Sequence, residues 1–187
     1  MSIITGTSLN DVLNDTLDND VINDDIIGAS AGNDTINGGD GQDSVDYSLS
    51  GGVIVLPVDT VQKSSGTDRL ISIEKFIGSA TAIDTIDASR TNAELIADLS
   101  VEQVNVSNIP VFSSLNFQVV NFDNVIGGNG NDCLTGNAGV NTLNGNWSDD
   151  NLDGKDILTG GVGADLTVRG KLPNNQTTWL FPQTDFQ

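Results

Sequence analysis

The 187-residue chain has no histidine and a single cysteine. The first absence excludes Ser-His-Asp and Cys-His catalysis, His-ligated zinc and imidazole acid–base chemistry. The second excludes an internal disulfide, because Cys133 has no second cysteine to pair with. Basic residues are scarce: seven Lys plus Arg stand against 26 Asp plus Glu, a net charge of −19. That balance opposes nucleic acid and anionic membranes as partners. Only three of the 26 acids are Glu. Acidic helical proteins favour Glu, whereas this chain holds 23 Asp, 21 Asn and 21 Gly, which form turns and weaken helices. A helical fold is not expected. No run reaches the ~18 apolar residues of a membrane span. The opening Met-Ser-Ile-Ile-Thr-Gly lacks a charged segment and a long apolar one, so export is expected to proceed without a cleavable N-terminal signal.

What remains is oxygen. Carboxylates and carbonyls, without thiols or imidazoles, are the ligand set of a hard cation such as calcium. They are arranged in a repeat. Gly38-Gly39-Asp40-Gly41-Gln42-Asp43, Gly127-Gly128-Asn129-Gly130-Asn131-Asp132 and Gly160-Gly161-Val162-Gly163-Ala164-Asp165 all read G-G-x-G-x-D. A period of nine extends them through Asp11 and Asp20, through Asp25, Asp34 and Asp43, and through Asp132, Asn141 and Asp150. After a slip it resumes at Asp156 and Asp165. Two residues beyond each of these stand Leu13, Ile22, Ile27, Ile36, Val45, Leu134, Leu143, Leu152, Leu158 and Thr167, all but the last aliphatic. A Gly-rich turn can adopt φ > 0 and aim its carbonyls inward, and the Asp that closes it adds a carboxylate. The next three residues make a short strand whose middle side chain enters the core.

The nonapeptide G-G-x-G-x-D-x-U-x, in Gly38 to Asp46 and Gly127 to Thr135, resembles the calcium-binding parallel β-roll repeat of RTX (hemolysin-type) proteins. The resemblance implies an all-β fold, a parallel β-roll or β-helix solenoid, in the two nonapeptide arrays, 6–46 and 127–168; the segment they flank, 47–126, is read from its own residues as a longer-coil β-solenoid continuous with them. The resemblance also implies that the closing Asp side chains and the turn carbonyls hold Ca2+. Carried onto this chain, the ligands are Asp11, Asp20, Asp25, Asp34, Gly38, Asp40, Gly41, Asp43, Gly127, Asn129, Gly130, Asp132, Asp150, Asp156, Gly160, Gly163 and Asp165. Asn141 supplies a neutral group where the pattern has Asp, and the turns before Asp11 and Asp20 lack the glycines.

Residues 47–126 hold strand-like runs, Val53–Leu56, Leu70–Ile73, Leu95–Leu99 and Phe117–Val120, which read as longer solenoid coils or as a separate β-sandwich. The segment Ile73–Ser79 resembles the strand that precedes the repeats in many secreted RTX proteins. The tail, 169–187, carries Trp179, Leu180, Phe181 and Phe186; it reads as a cap, a secretion signal or an assembly contact.

Neighbouring carboxylates repel without calcium, and the turns have little apolar surface to offset chain entropy. The expected function is therefore a secreted, non-enzymatic calcium-binding module at the cell surface or outside the cell. Calcium folds it, and it self-assembles into a filament or layer or meets an extracellular glycan. The alternative is a glycan-binding module or a carboxylate enzyme acting on polysaccharide, using Asp84 with Asp87 or Glu74 with Asp123. A rank of threonines for ice binding is interrupted by Val12, Val21, Ser44, Cys133 and Asn151. Cys133 sits in an outward slot of the same kind, and Trp147, unusual for a calcium loop, reads as packing locally or as marking a contact surface.

Overall fold

Three-residue strands recur because the repeat leaves only three residues between glycine-rich turns. The computed structural model describes residues 3–5, 12–14, 21–23, 32–52, 54–56, 60–108, 114–154, 157–169 and 181–183. Among them there are strands and turns and no helix. The first ten strands are β1 (Ile3–Thr5), β2 (Val12–Asn14), β3 (Val21–Asn23), β4 (Thr35–Asn37), β5 (Ser44–Asp46), β6 (Ile54–Leu56), β7 (Thr60–Lys63), β8 (Gly66–Ile71), β9 (Lys75–Ile77) and β10 (Thr85–Asp87). There follow β11 (Glu94–Asp98), β12 (Gln103–Ser107), β13 (Ser114–Val120), β14 (Asn124–Ile126) and β15 (Cys133–Thr135). The last are β16 (Thr142–Trp147), β17 (Asn151–Gly154), β18 (Ile157–Val162), β19 (Asp165–Arg169) and β20 (Phe181–Gln183). In β4, β5, β9, β10, β14 and β15 the middle side chain is buried and its neighbours are half-exposed, as alternation along a strand requires.

The chain forms two compact units, Met1–Ile86 with Phe117–Phe122, and Asp87–Asn116 with Asp123–Gln187. In the first, β1, β3, β5, β9 and the end of β13 lie side by side and parallel. A second sheet runs β10, β6, β7, β8, β4, β2. β1, β2 and β3 each pair with the next strand but one, and β4 and β5 pair onward with β8 and β9, which sets Leu13, Ile36 and Leu70 in one register, and Ile22, Val45, Phe76 and Val119 in another. Phe76 meets Phe117 edge to face, ring centroids 5.4 Å apart. Tyr47, Ile36, Val45 and Val61 are fully buried, each such aliphatic contributing roughly 1.5–3 kcal/mol.

In the second unit β14, β16 and β18 form one sheet, and β12, β11, β15, β17, β19 and β20 the other. Asn124 pairs with Thr142 and Cys133 with Asn151, each 18 residues on, or two nonapeptides. Leu134 stacks on Leu152 and Val125 on Leu143, all fully buried.

The sheets are mixed. The β6–β7, β7–β8 and β11–β12 pairs are antiparallel, where the sequence reading expected parallel coils through 47–126, and β19–β20 is antiparallel as well. The physical reason is connection length. A parallel neighbour needs a long crossover, whereas an antiparallel one needs only a tight turn, such as Ser64-Ser65 between Lys63 and Gly66. The extra residues of the middle segment are folded into hairpins within the sheets.

Candidate metal centre

Five acids that close turns are buried. Asp34, Asp43, Asp84, Asp132 and Asp150 are all 3% exposed or less, as is Asn141. Two further acids, Asp68 and Glu74, occupy the same position in coils whose sequence does not repeat: each stands two residues before an inward side chain, Leu70 or Phe76.

Stacking brings these acids together in pairs through a recurring two-bond clamp. The amide of Asp34 donates to Asp68 Oδ1 (3.0 Å), that of Asp43 to Glu74 Oε2 (2.9 Å) and that of Asp132 to Asp150 Oδ1 (2.8 Å). In return, the residue after the second acid donates its amide to the carbonyl of the first. Arg69 binds Asp34 (2.8 Å), Lys75 binds Asp43 (3.0 Å) and Asn151 binds Asp132 (2.8 Å). The amide of Ile157 does the same to Asn141 (3.1 Å). The clamp holds the two acid-bearing turns in register, and a carboxylate buried in this way calls for a counter-charge.

The first glycine of each turn makes room. A β-carbon on Gly127 would strike Asp132 Oδ2 and the Gly145 carbonyl; on Gly145 it would strike Asp150 Oδ2 and the Gly160 carbonyl. On Gly38 it would meet Asp43 Oδ2 and the Ser72 carbonyl. A carboxylate oxygen and a carbonyl of the next coil thus lie against the same glycine, three times over. These hard oxygen donors suit calcium, which takes 6–8 of them. Among the described residues no three Asp, Glu, Cys or His side chains converge, so carbonyls have to supply much of such a shell.

Asp132 shows the electrostatic consequence. Burial raises its carboxyl from the ordinary 3.8 to about 6. The Leu95 and Gly128 amides, at 2.7 and 2.8 Å, oppose that rise, and the charge of Glu94 adds to it. A buried carboxylate disfavoured in this way gains most from a cation.

These turns match the family model of the RTX calcium-binding nonapeptide repeat, in four copies, over residues 23–49, 126–156 and 152–166. The chain carries calcium-binding RTX repeats. The matched segments cover well under half of its length. No curated protein matches the chain.

Within the RTX repeats the sequence-derived ligands divide into three groups. Asp43, Asp132 and Asp150 lie with Gly38, Gly127 and Gly160 on the buried side of the turns, while Asp34 meets an ammonium, Lys63. Asp40, Gly41 and Asn129 are exposed at the tips; Gly130 packs on the Ala93 carbonyl, and Asn129 bonds to Asn92 (2.8 Å). Gly163, half-exposed, has φ +152° beside the Ser148 carbonyl. Asp11, Asp20, Asp25 and Asp156, and the side chain of Asp165, lie outside the described residues, as does most of the tail.

The sequence reading placed Asp150 and the turn before it, Asn146–Asp149, in the array but passed over Gly145. Gly145-Asn146-Trp147-Ser148-Asp149-Asp150 has glycine only at its first position, yet Asn146 and Ser148 hold φ of 74° and 76°. Gly39 and Gly41, at the corresponding positions, hold 83° and 143°. The signal was a Gly five residues before an Asp already in phase. Trp147 stands at the exposed tip of this turn, 58% accessible. Of the acids considered for catalysis, Asp84 is buried and accepts the Ser79 amide (2.6 Å), Asp87 accepts the Ser89 amide (2.9 Å) and Glu74 belongs to a clamp. Cys133 is half-buried; burial, then Asp98 and Asp153, push its thiol upward.

Proposed function

We propose that this protein is a secreted, non-enzymatic calcium-binding β-roll module, folded by calcium outside the cell and acting as a structural or interaction element that self-assembles. The observation that carries this reading is the Asp132–Asp150 clamp. There, buried carboxylates from RTX turns two nonapeptides apart lie beside the carbonyls of Gly145 and Gly160. Asp43, Asp132 and Asp150 with those carbonyls would hold the ion, and calcium would supply the charge that offsets carboxylate repulsion. Binding free energy then becomes folding free energy. An affinity of roughly 0.1–1 mM, usual for extracellular modules, would leave the turns empty in cytosol and filled outside. In the second unit, Trp147 stands opposite Val162 on neighbouring strands, both exposed, and offers an apolar contact for a second copy or a glycan.

The test is far-UV circular dichroism with sedimentation velocity, from chelator to ~10 mM calcium. A calcium-dependent gain of β signal and of particle mass is expected. A spectrum already fully β in chelator and indifferent to calcium contradicts the reading.

A further inference from the structure

One of the three clamps already contains a cation. Lys63 Nζ lies 3.0 Å from Asp34 Oδ2 and 2.8 Å from Asp68 Oδ2, and all three side chains are 1% exposed or less. The Tyr47 hydroxyl donates to the same Asp68 oxygen at 3.0 Å, and Tyr47 is itself fully buried. Asp34 closes a repeat turn, and Asp68 is its clamp partner one coil on. The lysine arrives from outside the repeat: β7 pairs antiparallel with β8, and inward alternation places Val61 and Lys63 on the buried face. Gly66, beyond the Ser64-Ser65 turn, lies so close to the Gly32 carbonyl and Asn33 Oδ1 that no β-carbon would fit. The hairpin that interrupts the period of nine is thus seated on a repeat turn and delivers an ammonium to its acids.

We propose that Lys63 is a built-in substitute for calcium: its ammonium offsets one of the two charges of the Asp34–Asp68 clamp, occupies the oxygens a metal would need, and masks a calcium site that removal of the lysine opens. Both cations ask for the same thing, a compact set of oxygens with net negative charge. An ammonium holds carboxylate oxygens at about 2.7–2.9 Å and calcium holds them at about 2.3–2.6 Å, so the two carboxylates would close in by a few tenths of an ångström. The lysine is tethered, so this pair of acids keeps its counter-charge at any calcium concentration. The proposal rests on the reading that the other turns take calcium, and its test separates the two.

The experiment is calorimetric calcium titration of the native chain, Lys63→Ala and Asp34→Asn/Lys63→Ala, with melting followed in chelator and in ~10 mM calcium. The single variant should bind one ion more than the native chain and recover on calcium most of the melting temperature it loses in chelator; the double variant should lose that extra ion. Equal stoichiometry in the native chain and Lys63→Ala overturns the proposal, whatever the native number is. A native chain that takes up no calcium, beside a Lys63→Ala chain that takes up one, defeats the functional reading and supports this one. Should Lys63→Ala not fold at any calcium concentration, the 15N signal of the Lys63 ammonium in the native chain decides. It should stay protected from solvent throughout the titration, and its release by calcium overturns the proposal.

Discussion

Asp34–Asp68 in the first unit and Asp132–Asp150 in the second share one backbone arrangement and differ in what answers the charge. Both carry the amide-to-carboxylate bond and its return bond to the carbonyl. The first pair meets a buried ammonium at 2.8–3.0 Å. In the second, Asp132 accepts the backbone amides of Leu95 and Gly128, and its carboxyl rises to about 6. Amides orient a carboxylate but bring no net charge, so burial prevails over them. Repeat geometry therefore creates the demand for a cation without dictating its source, and a single inserted hairpin changes that source from solvent to sequence.

The largest effect separating the two clamps should come from Lys63→Met in chelator. Removing the charge leaves Asp34 and Asp68 buried without it and should cost about 3–5 kcal/mol in urea unfolding. Next, Asp150→Asn should weaken calcium binding about tenfold or more in a calorimetric titration, because ligand charge sets affinity. Asp34→Asn should leave that affinity unchanged. A smaller effect follows from Asp132 in the calcium-free protein. Its folded carboxyl holds a proton at pH values where the unfolded chain, near 3.8, has released it. Its contribution is thus most favourable below about pH 4 and is lost as pH rises through about 6. Urea midpoints at pH 4, 5, 6 and 7 in chelator should fall less steeply for Asp132→Asn than for the native chain. The smallest is Ser148→Gly, which relieves a φ of 76° and should stabilise by about 0.5–1 kcal/mol. A loss there would mean that the Ser148 hydroxyl bond to the Asn129 carbonyl (2.8 Å) outweighs the strain.

The nine-residue spacing of acid and aliphatic made the repeat strands legible. Ile36, Val45, Leu134, Leu143 and Leu152 were all in phase, and all are buried. The turn before Asp150 was legible from the phase of that Asp, but its backbone was not, because Asn and Ser can also occupy positive φ, at a cost in strain that sequence does not display. Asp68 and Glu74 were hidden for a different reason. They keep the phase of the stack but not the spacing along the chain, since the residues folded into the β6–β8 hairpins separate Thr35 from its partner Arg69 by 34 positions. Lys63 could not be read at all, because an ammonium 29 residues from Asp34 meets it only through antiparallel pairing.

The most direct test is amide hydrogen exchange, residue by residue, in chelator and in calcium at a hundred times its dissociation constant. The Asp132 and Asn151 amides, which make the second unit's clamp, should slow about a hundredfold on adding calcium. The Asp34 and Arg69 amides, held around Lys63, should change far less. Equal slowing at both clamps would contradict the built-in cation. No slowing at Asp132 and Asn151 would contradict calcium as the charge that closes the repeats.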